Sequence, residues 1–185
     1  ISVDNYFVER EETPLDEELT GQSVYEDLLN SANEYVYIMT PYLIIDSEMI
    51  NTLIHTAKKG VDVRIIMPGI ADKQIVHDMG RTYYAQLIQG GVKIYEYTPG
   101  FIHGKVCIID DSSALVGTVN MDFRSYYQHY ECGVWMHEVD CLKDIKNDFE
   151  EIFKISHQVN LEECVNTNPI VKIYRNVLKV FSPIM

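Results

Sequence analysis

Six residues in the middle of the chain are of types and spacings that could do chemistry together: His103, Lys105, Asp110, Gly117, Asn120 and Glu131. An imidazole, an ammonium and a carboxamide gathered on one face make a site for a phosphodiester. The imidazole can attack phosphorus, while Lys105 and Asn120 hydrogen-bond the non-bridging oxygens, where negative charge builds up. A neutral histidine needs one ring nitrogen free to react and the other held, usually by a carboxylate. Glu131 is the candidate for that partner. Asp110 reads as structural, accepting hydrogen bonds from the turn at its own end of a hairpin.

What must position these groups is that hairpin. Residues 106–109 and 114–119 are short apolar, β-branched runs, with Asp110-Asp111-Ser112-Ser113 between them. Side chains alternate along a strand, so His103 and Lys105 share a face. A turn with two central residues, Asp111 and Ser112, sets Asn120 opposite His103, and a four-residue loop sets it across from Lys105. Either register collects His103, Lys105 and Asn120 on one side. A third strand runs from Glu131 to His137.

Upstream, residues 35–40, 61–67 and 92–97 read as strands. Helices over 46–59, capped by Asp46 and ended by Gly60, and over 72–89, ended at Gly90-Gly91, alternate with them. A further helix over 23–33, with Ser23 as N-cap, turns Val24, Leu28 and Leu29 to one face. Strand, helix, strand, helix, strand implies right-handed crossovers and an α/β fold: a mixed, largely parallel sheet with helices on both faces. Ligands gather at the carboxyl ends of parallel strands, so the loops after Thr40, Met67 and Tyr97 should surround one pocket, where His103 begins.

The pattern H-x-K-x4-D-x6-G-x-x-N, met by His103, Lys105, Asp110, Gly117 and Asn120, resembles the signature motif of the phospholipase D superfamily. Ile38-Met39-Thr40-Pro41-Tyr42, the stretch from Gly60 to Gly69, Arg81-Thr82-Tyr83-Tyr84, Gly91 to Phe101 and Asn120 to Ser125 are similar to bacterial cardiolipin synthases. The resemblance runs from about Gly21 to Glu131. It implies a phospholipase D-like fold, no metal or other cofactor, and substrate-contact candidates at Tyr42, Arg81 and Ser125. Tyr42 reads equally as a packed strand-end tyrosine, and Arg81 as a structural ion-pair partner. The family carries two such motifs and hydrophobic N-terminal segments. This chain has one motif, opens at Ile1, and ends in Phe181-Ser182-Pro183 like the family's C-terminus. The resemblance therefore implies the C-terminal half of an enzyme anchored at the cytoplasmic face of the bacterial cell membrane.

Composition sets the remaining bounds. With 185 residues and 46% hydrophobic content the chain can bury one core. We divide it into an edge strand and acidic loop (1–20, the strand over 3–8), one catalytic domain (21–160) and a C-terminal amphipathic helix packed on it (161–185). A net charge of -13 argues against nucleic acid, whose phosphate backbone is met by clustered Lys and Arg. Cys107, Cys132, Cys141 and Cys164 show no C-x-x-C pair and read as reduced thiols, with Cys107 and Cys132 buried. His55, His77, His129, His137 and His157 lack metal-ligand spacing. Residues 140–157 read as an acidic amphipathic helix. In the last helix Ile170, Ile173, Tyr174, Val177, Leu178 and Phe181 form an apolar stripe flanked by Lys172, Arg175 and Lys179. That stripe serves either to dock on the parent domain or to lie on an anionic membrane surface.

The resemblance implies transfer of a phosphatidyl group between two phosphatidylglycerol molecules through a phosphohistidine, giving cardiolipin and releasing glycerol. The partner motif would come from an N-terminal half or from a second copy. In two-motif relatives the N-terminal histidine is generally the nucleophile, which leaves His103 as general acid and then base. The alternatives are a homodimeric single-motif phosphodiesterase or nuclease, and a non-catalytic half that recruits the enzyme to membranes.

Overall fold

The computed structural model describes residues 6–12, 20–166 and 169–180. Strand β1 (Tyr6–Glu12) precedes helix α1 (Thr20–Ser31). Then come β2 (Tyr35–Met39), the short β3 (Leu43–Ile44), α2 (Ser47–Lys58), β4 (Asp62–Pro68), α3 (Gln74–Gln89) and β5 (Lys93–Tyr97). The hairpin β6 (Val106–Ile109) and β7 (Ser113–Gly117) follows, then β8 (Met121–Asp122), α4 (Phe123–Tyr127) and β9 (Glu131–His137). The chain closes through α5 (Leu142–Lys154), β10 (Ser156–Gln158), α6 (Leu161–Val165) and α7 (Pro169–Val180).

Eight strands form one sheet in the order β1-β9-β7-β6-β2-β4-β5-β10, and β3 pairs with β8 beside it. The sheet is mixed, as expected, but its parallel part is smaller than expected. Only β2-β4 and β4-β5 are parallel, while the other five pairings are antiparallel. The reason is connection length. The helices α2 and α3 provide the crossovers of the parallel part, whereas β6 and β7 are joined by a tight turn that can only reverse direction.

Helices cover both faces. On one, Leu28 and Leu29 of α1, Met49 and Leu53 of α2, and Tyr83 and Leu87 of α3 pack on Val36, Ile38, Val63, Ile65 and Ile94. On the other, Leu142 and Phe149 of α5 pack with Tyr35, Tyr37, Ile66 and Ile108. β2 is buried at all five positions, as a strand covered on both sides must be. Asp46 caps α2 by accepting from the Met49 N–H at 2.8 Å. Gly60 and Gly91, at φ +99 and +101, end α2 and α3 in a conformation that side chains resist.

Several boundaries differ from expectation. α1 starts at Thr20, so Ser23 lies inside the helix rather than capping it. α5 stops at Lys154 and residues 156–158 become β10, an antiparallel edge on β5. Three residues are too few for periodicity to reveal a strand. The first described strand is Tyr6–Glu12, and residues 3–5 of the expected edge strand lie outside the described residues. So does the acidic loop over 13–19, and so do Phe181-Ser182-Pro183. α7 rests on α3 through only part of the apolar stripe described for it. Arg175 meets Asp78 at 3.4 Å and Leu178 packs against the main core, while Ile173, Tyr174 and Val177 are exposed.

The hairpin follows neither expected register. Ile109 pairs with Ser113, leaving a three-residue loop of Asp110, Asp111 and Ser112. The Ser112 N–H donates to the Ile109 carbonyl at 2.9 Å, and Asp110 and Asp111 have φ of +49° and +55°, as in a type I′ turn. Aspartate tolerates this left-handed conformation, which the sequence count did not allow for. The Asp110 carboxylate also differs from expectation. It accepts not from its own turn but from three backbone amides that lead into β2: Asn33 at 2.7 Å, Glu34 at 2.9 Å and Tyr35 at 2.8 Å.

Gly117 ends β7 where two backbones nearly touch. A Cβ there would collide with the Cys132 carbonyl oxygen and lie 2.8 Å from the Gly133 Cα. Gly117→Ala is therefore expected to destabilise the domain by about 1–3 kcal/mol in chemical denaturation, whereas Gly100→Ala, with nothing within 4 Å, stays within about 0.5 kcal/mol of the parent. Asp110→Ala strands three amides and is expected to cost about 2 kcal/mol in the same measurement.

Candidate active site

The carboxyl ends of β2, β4 and β5 open toward the segment before β6, and three loops meet there. After β2, Pro41 turns the chain and the Thr40 hydroxyl donates to the Tyr42 carbonyl at 2.8 Å. The loop after β4 is pinned to the end of β5 by the Gly69 N–H donating to the Tyr97 carbonyl at 2.9 Å, and it carries Asp72. The loop after β5 brings Phe101 and then His103.

His103 is exposed, between two aromatic rings. Tyr42 stands edge-on with centroids 6.5 Å apart, and Phe101 lies tilted at 5.6 Å. The Lys105 ammonium lies against the imidazole, 3.0 Å from Nδ1 and 3.1 Å from Nε2, and donates to the His103 carbonyl at 2.9 Å. Desolvation and this ammonium push the His103 imidazole below its ordinary value, while the Asp72 charge acts the other way. Desolvation also lowers Lys105, opposed by the charges of Glu131 and Asp122.

Glu131 is not the carboxylate that holds His103. Its Oε2 accepts from the Thr118 hydroxyl and its Oε1 lies 3.6 Å from His129 Nδ1. Gly117 donates to the Lys105 carbonyl at 3.1 Å, and the next residue, Thr118, pairs with Cys132 of β9. From there its hydroxyl donates to the Glu131 carboxylate. Glu131 stays buried and acts on the site through the charge of Lys105.

Asn120 lies beyond the hairpin ladder, in the connection to β8. Its N–H and Nδ2 both donate to Ser125 Oγ, at 3.2 and 3.0 Å. Its Oδ1 is buried without a hydrogen-bond partner, and Nδ2 keeps a second hydrogen. Ser125 is 1% exposed, so it fixes the carboxamide and does not present itself to a substrate as expected. Its own N–H donates to Asp122 at 2.7 Å, the N-cap of α4. Burial raises the Asp122 carboxyl above the usual range. The Met121 N–H donates to Thr40 Oγ1 at 3.2 Å, which ties this connection to the corner after β2.

Arg81 is likewise removed from the site. Its Nε and one terminal nitrogen each sit 3.0 Å from an oxygen of the buried Glu96 carboxylate, the terminal nitrogen as a hydrogen bond. Tyr42 is placed beside His103, and its hydroxyl donates to Asp72 Oδ2 at 2.6 Å. Sequence reasoning missed Asp72, taking it as the start of α3, although it lies in one of the loops expected to line the pocket. Thr118 and Phe101 carried no signal beyond their neighbourhood in the chain.

The arrangement offers a reactive ring nitrogen, one ammonium and one fixed carboxamide, open to solvent and suited to an anion. Of the cysteines, Cys107 is buried and Cys132 is only half-buried. Among the described residues no group of three or more His, Cys, Asp and Glu side chains could hold a metal ion, and no helix is long and apolar enough to cross a membrane.

Residues 25–153 match the family model described as the cardiolipin synthase, phospholipase D-like domain. An uncharacterized protein of Streptococcus mutans is 48% identical over all 185 residues, which make up 40% of that protein. Cardiolipin synthase 2 of Bacillus anthracis is 32% identical over 166 residues, 90% of this chain and 32% of that one. The chain thus spans 40% and 32% of the length of these two relatives. Among solved structures, phosphatidylserine synthase of Haemophilus influenzae aligns with a TM-score of 0.78 at 15% identity, covering 98% of this chain and 48% of that one. Nuc of Salmonella typhimurium, a phospholipase D family member, aligns with a TM-score of 0.71 at 14% identity, covering 84% of this chain and 99% of that one. At these identities the two structures establish the fold. Together with the match across residues 25–153, they show that this chain belongs to the phospholipase D-like domain family of the cardiolipin synthases.

Proposed function

We propose that the chain supplies one of two histidines to a phosphatidyltransferase site that makes cardiolipin from two phosphatidylglycerol molecules. The observation that carries this reading is the exposed His103 imidazole with the Lys105 ammonium against it; the Asn120 carboxamide, the third group of the motif, is locked by Ser125. One histidine of the pair attacks the phosphorus of the first phosphatidylglycerol, forming a P–N bond. The other protonates the departing glycerol oxygen. A hydroxyl of the second phosphatidylglycerol, deprotonated by that same residue, then displaces the histidine. Lys105 and Asn120 stabilise the charge on the non-bridging oxygens in both steps. Glu131 supports Lys105 through its charge, and Asp110 holds the hairpin. We assign His103 the acid and base role, with the nucleophile on a partner motif in the rest of the protein.

A membrane-surface location at the cytoplasmic face accords with the reading. A phosphatidyl substrate resides in a bilayer, and the exposed Ile173, Tyr174 and Val177 of α7 suit a lipid surface. Their exposure also gives the non-catalytic recruiting role its one supporting observation, and the two roles are compatible.

A second reading has one observation in its favour. The fold of this chain covers 99% of the Nuc chain, so in that protein one such unit makes up nearly the whole chain. Two copies of the present chain would then build a complete phosphodiesterase site across a two-fold axis.

Cardiolipin formation from phosphatidylglycerol micelles separates the two. In the full-length protein, His103→Ala is expected to lower turnover by at least about 1,000-fold. Unchanged turnover would refute the catalytic role and leave the recruiting one. For the 185-residue chain alone, no activity until the remainder of the protein is added favours the first reading. Activity rising with the square of concentration favours the second.

Ser125→Ala frees the Asn120 carboxamide without touching substrate. It is expected to lower turnover roughly 10- to 100-fold with an unchanged circular dichroism spectrum.

A further inference from the structure

Among the described residues, no carboxylate is bonded to the His103 imidazole. Glu131 is engaged by Thr118, and the charged group at bonding distance from the ring is the Lys105 ammonium. The ring nevertheless has a defined neighbour on its other side. Tyr42 stands edge-on to it, at an interplanar angle of 81°, and the Tyr42 hydroxyl donates to Asp72 at 2.6 Å. Asp72 Oδ1 also accepts from the Lys73 N–H at 2.6 Å, so its carboxylate is fixed by one bond from each loop.

We propose that Asp72, acting through the Tyr42 hydroxyl, is a positioning residue for His103: it holds the tyrosine ring edge-on to the imidazole and brings a carboxylate into the same cluster of loops. The inference rests on the catalytic reading of His103. A simple staple between two loops would need only the Tyr42-Asp72 bond. The edge-on ring and the effect of the Asp72 charge on His103 are what a positioning role adds.

The charged surroundings bear this out element by element. Lys105, before β6, faces the ring directly and disfavours its protonation. Asp72, from the loop after β4, favours it. Asp122 before α4 and Glu131 on β9 act on Lys105. Tyr42, from the loop after β2, is not ionised at neutral pH, since burial and the bond to Asp72 raise its hydroxyl. Desolvation opposes ionisation of Asp72, but the bonds from Tyr42 and Lys73 hold its carboxyl below the usual range, so it stays charged throughout the histidine titration.

Two substitutions separate charge from position. Asp72→Asn can still accept the tyrosine hydrogen bond but carries no charge. Tyr42→Phe keeps the charge and loses the tether. The test is the titration of the His103 ring followed by NMR in this chain, with His103→Ala to assign its signal among the six histidines. Asp72→Asn is expected to lower the midpoint by roughly 0.4 of a pH unit, the size of one charge acting through solvent at about 8 Å. Tyr42→Phe should lower it by a smaller amount, and the amide spectra should report an unchanged fold in both. A midpoint that stays in place or rises in Asp72→Asn overturns the proposal.

Turnover of the same variants in the full-length protein completes the comparison. A fall in kcat at constant KM for Asp72→Asn supports the positioning role. Loss of activity in His103→Ala with no shift in Asp72→Asn defeats this inference alone. A shift in Asp72→Asn with full activity in His103→Ala defeats the catalytic reading and leaves the Asp72 contact standing.

Discussion

One carboxylate holds the two halves of the sheet together. Asp110 takes the three backbone amides that lead into β2, and its own backbone forms the first left-handed position of the hairpin turn. β2 is the seam of the sheet, with parallel β4 on one side and antiparallel β6 on the other. A hairpin could slide along β2 by two residues and keep its apolar face inward. Three hydrogen bonds from one rigid turn remove that freedom. Since His103 and Lys105 sit at the far end of β6, the same bonds fix how far those side chains reach past the end of β2.

The site lies at this change of strand direction. The parallel part brings its loops, with Tyr42, Asp72 and Phe101, to one end. The antiparallel part sends His103 and Lys105 to the same end and returns Asn120 beside them. Behind them stands buried polar structure: Thr40 joins the β2 corner to β8, Ser125 holds Asn120, and Asp122 holds Ser125. His103 is exposed, Lys105 and Asn120 are half-buried, and Ser125 and Asp122 behind Asn120 are buried.

How much of this was legible in the sequence depended on range. β9 runs from Glu131 to His137 as read, and the Asp46 cap was fully encoded in local pattern. Motif spacing pointed to His103, Lys105 and Asn120, but alternation did not place Asn120: the three-residue loop fits neither expected register, and Asn120 lies beyond the ladder, held by Ser125. What could not be read was set by longer-range geometry. Two adjacent aspartates at positive φ changed the loop length, and the Thr118 hydroxyl donates to the Glu131 carboxylate. Arg81 matched a family segment, yet its bond to Glu96 is a tertiary fact. Asp72 looked like a helix start because aspartate is common there, and only the folded loops show it beside Tyr42.

The crowding of imidazole and ammonium has a thermodynamic corollary. At 3.0 Å each disfavours a positive charge on the other, and an anion seated between them removes that penalty. Binding of a phosphodiester should therefore draw a proton onto His103. By linkage, acidification should tighten the binding to the same degree. The general acid would then be loaded by the arrival of the very group it is to protonate, and the empty site would hold its imidazole neutral.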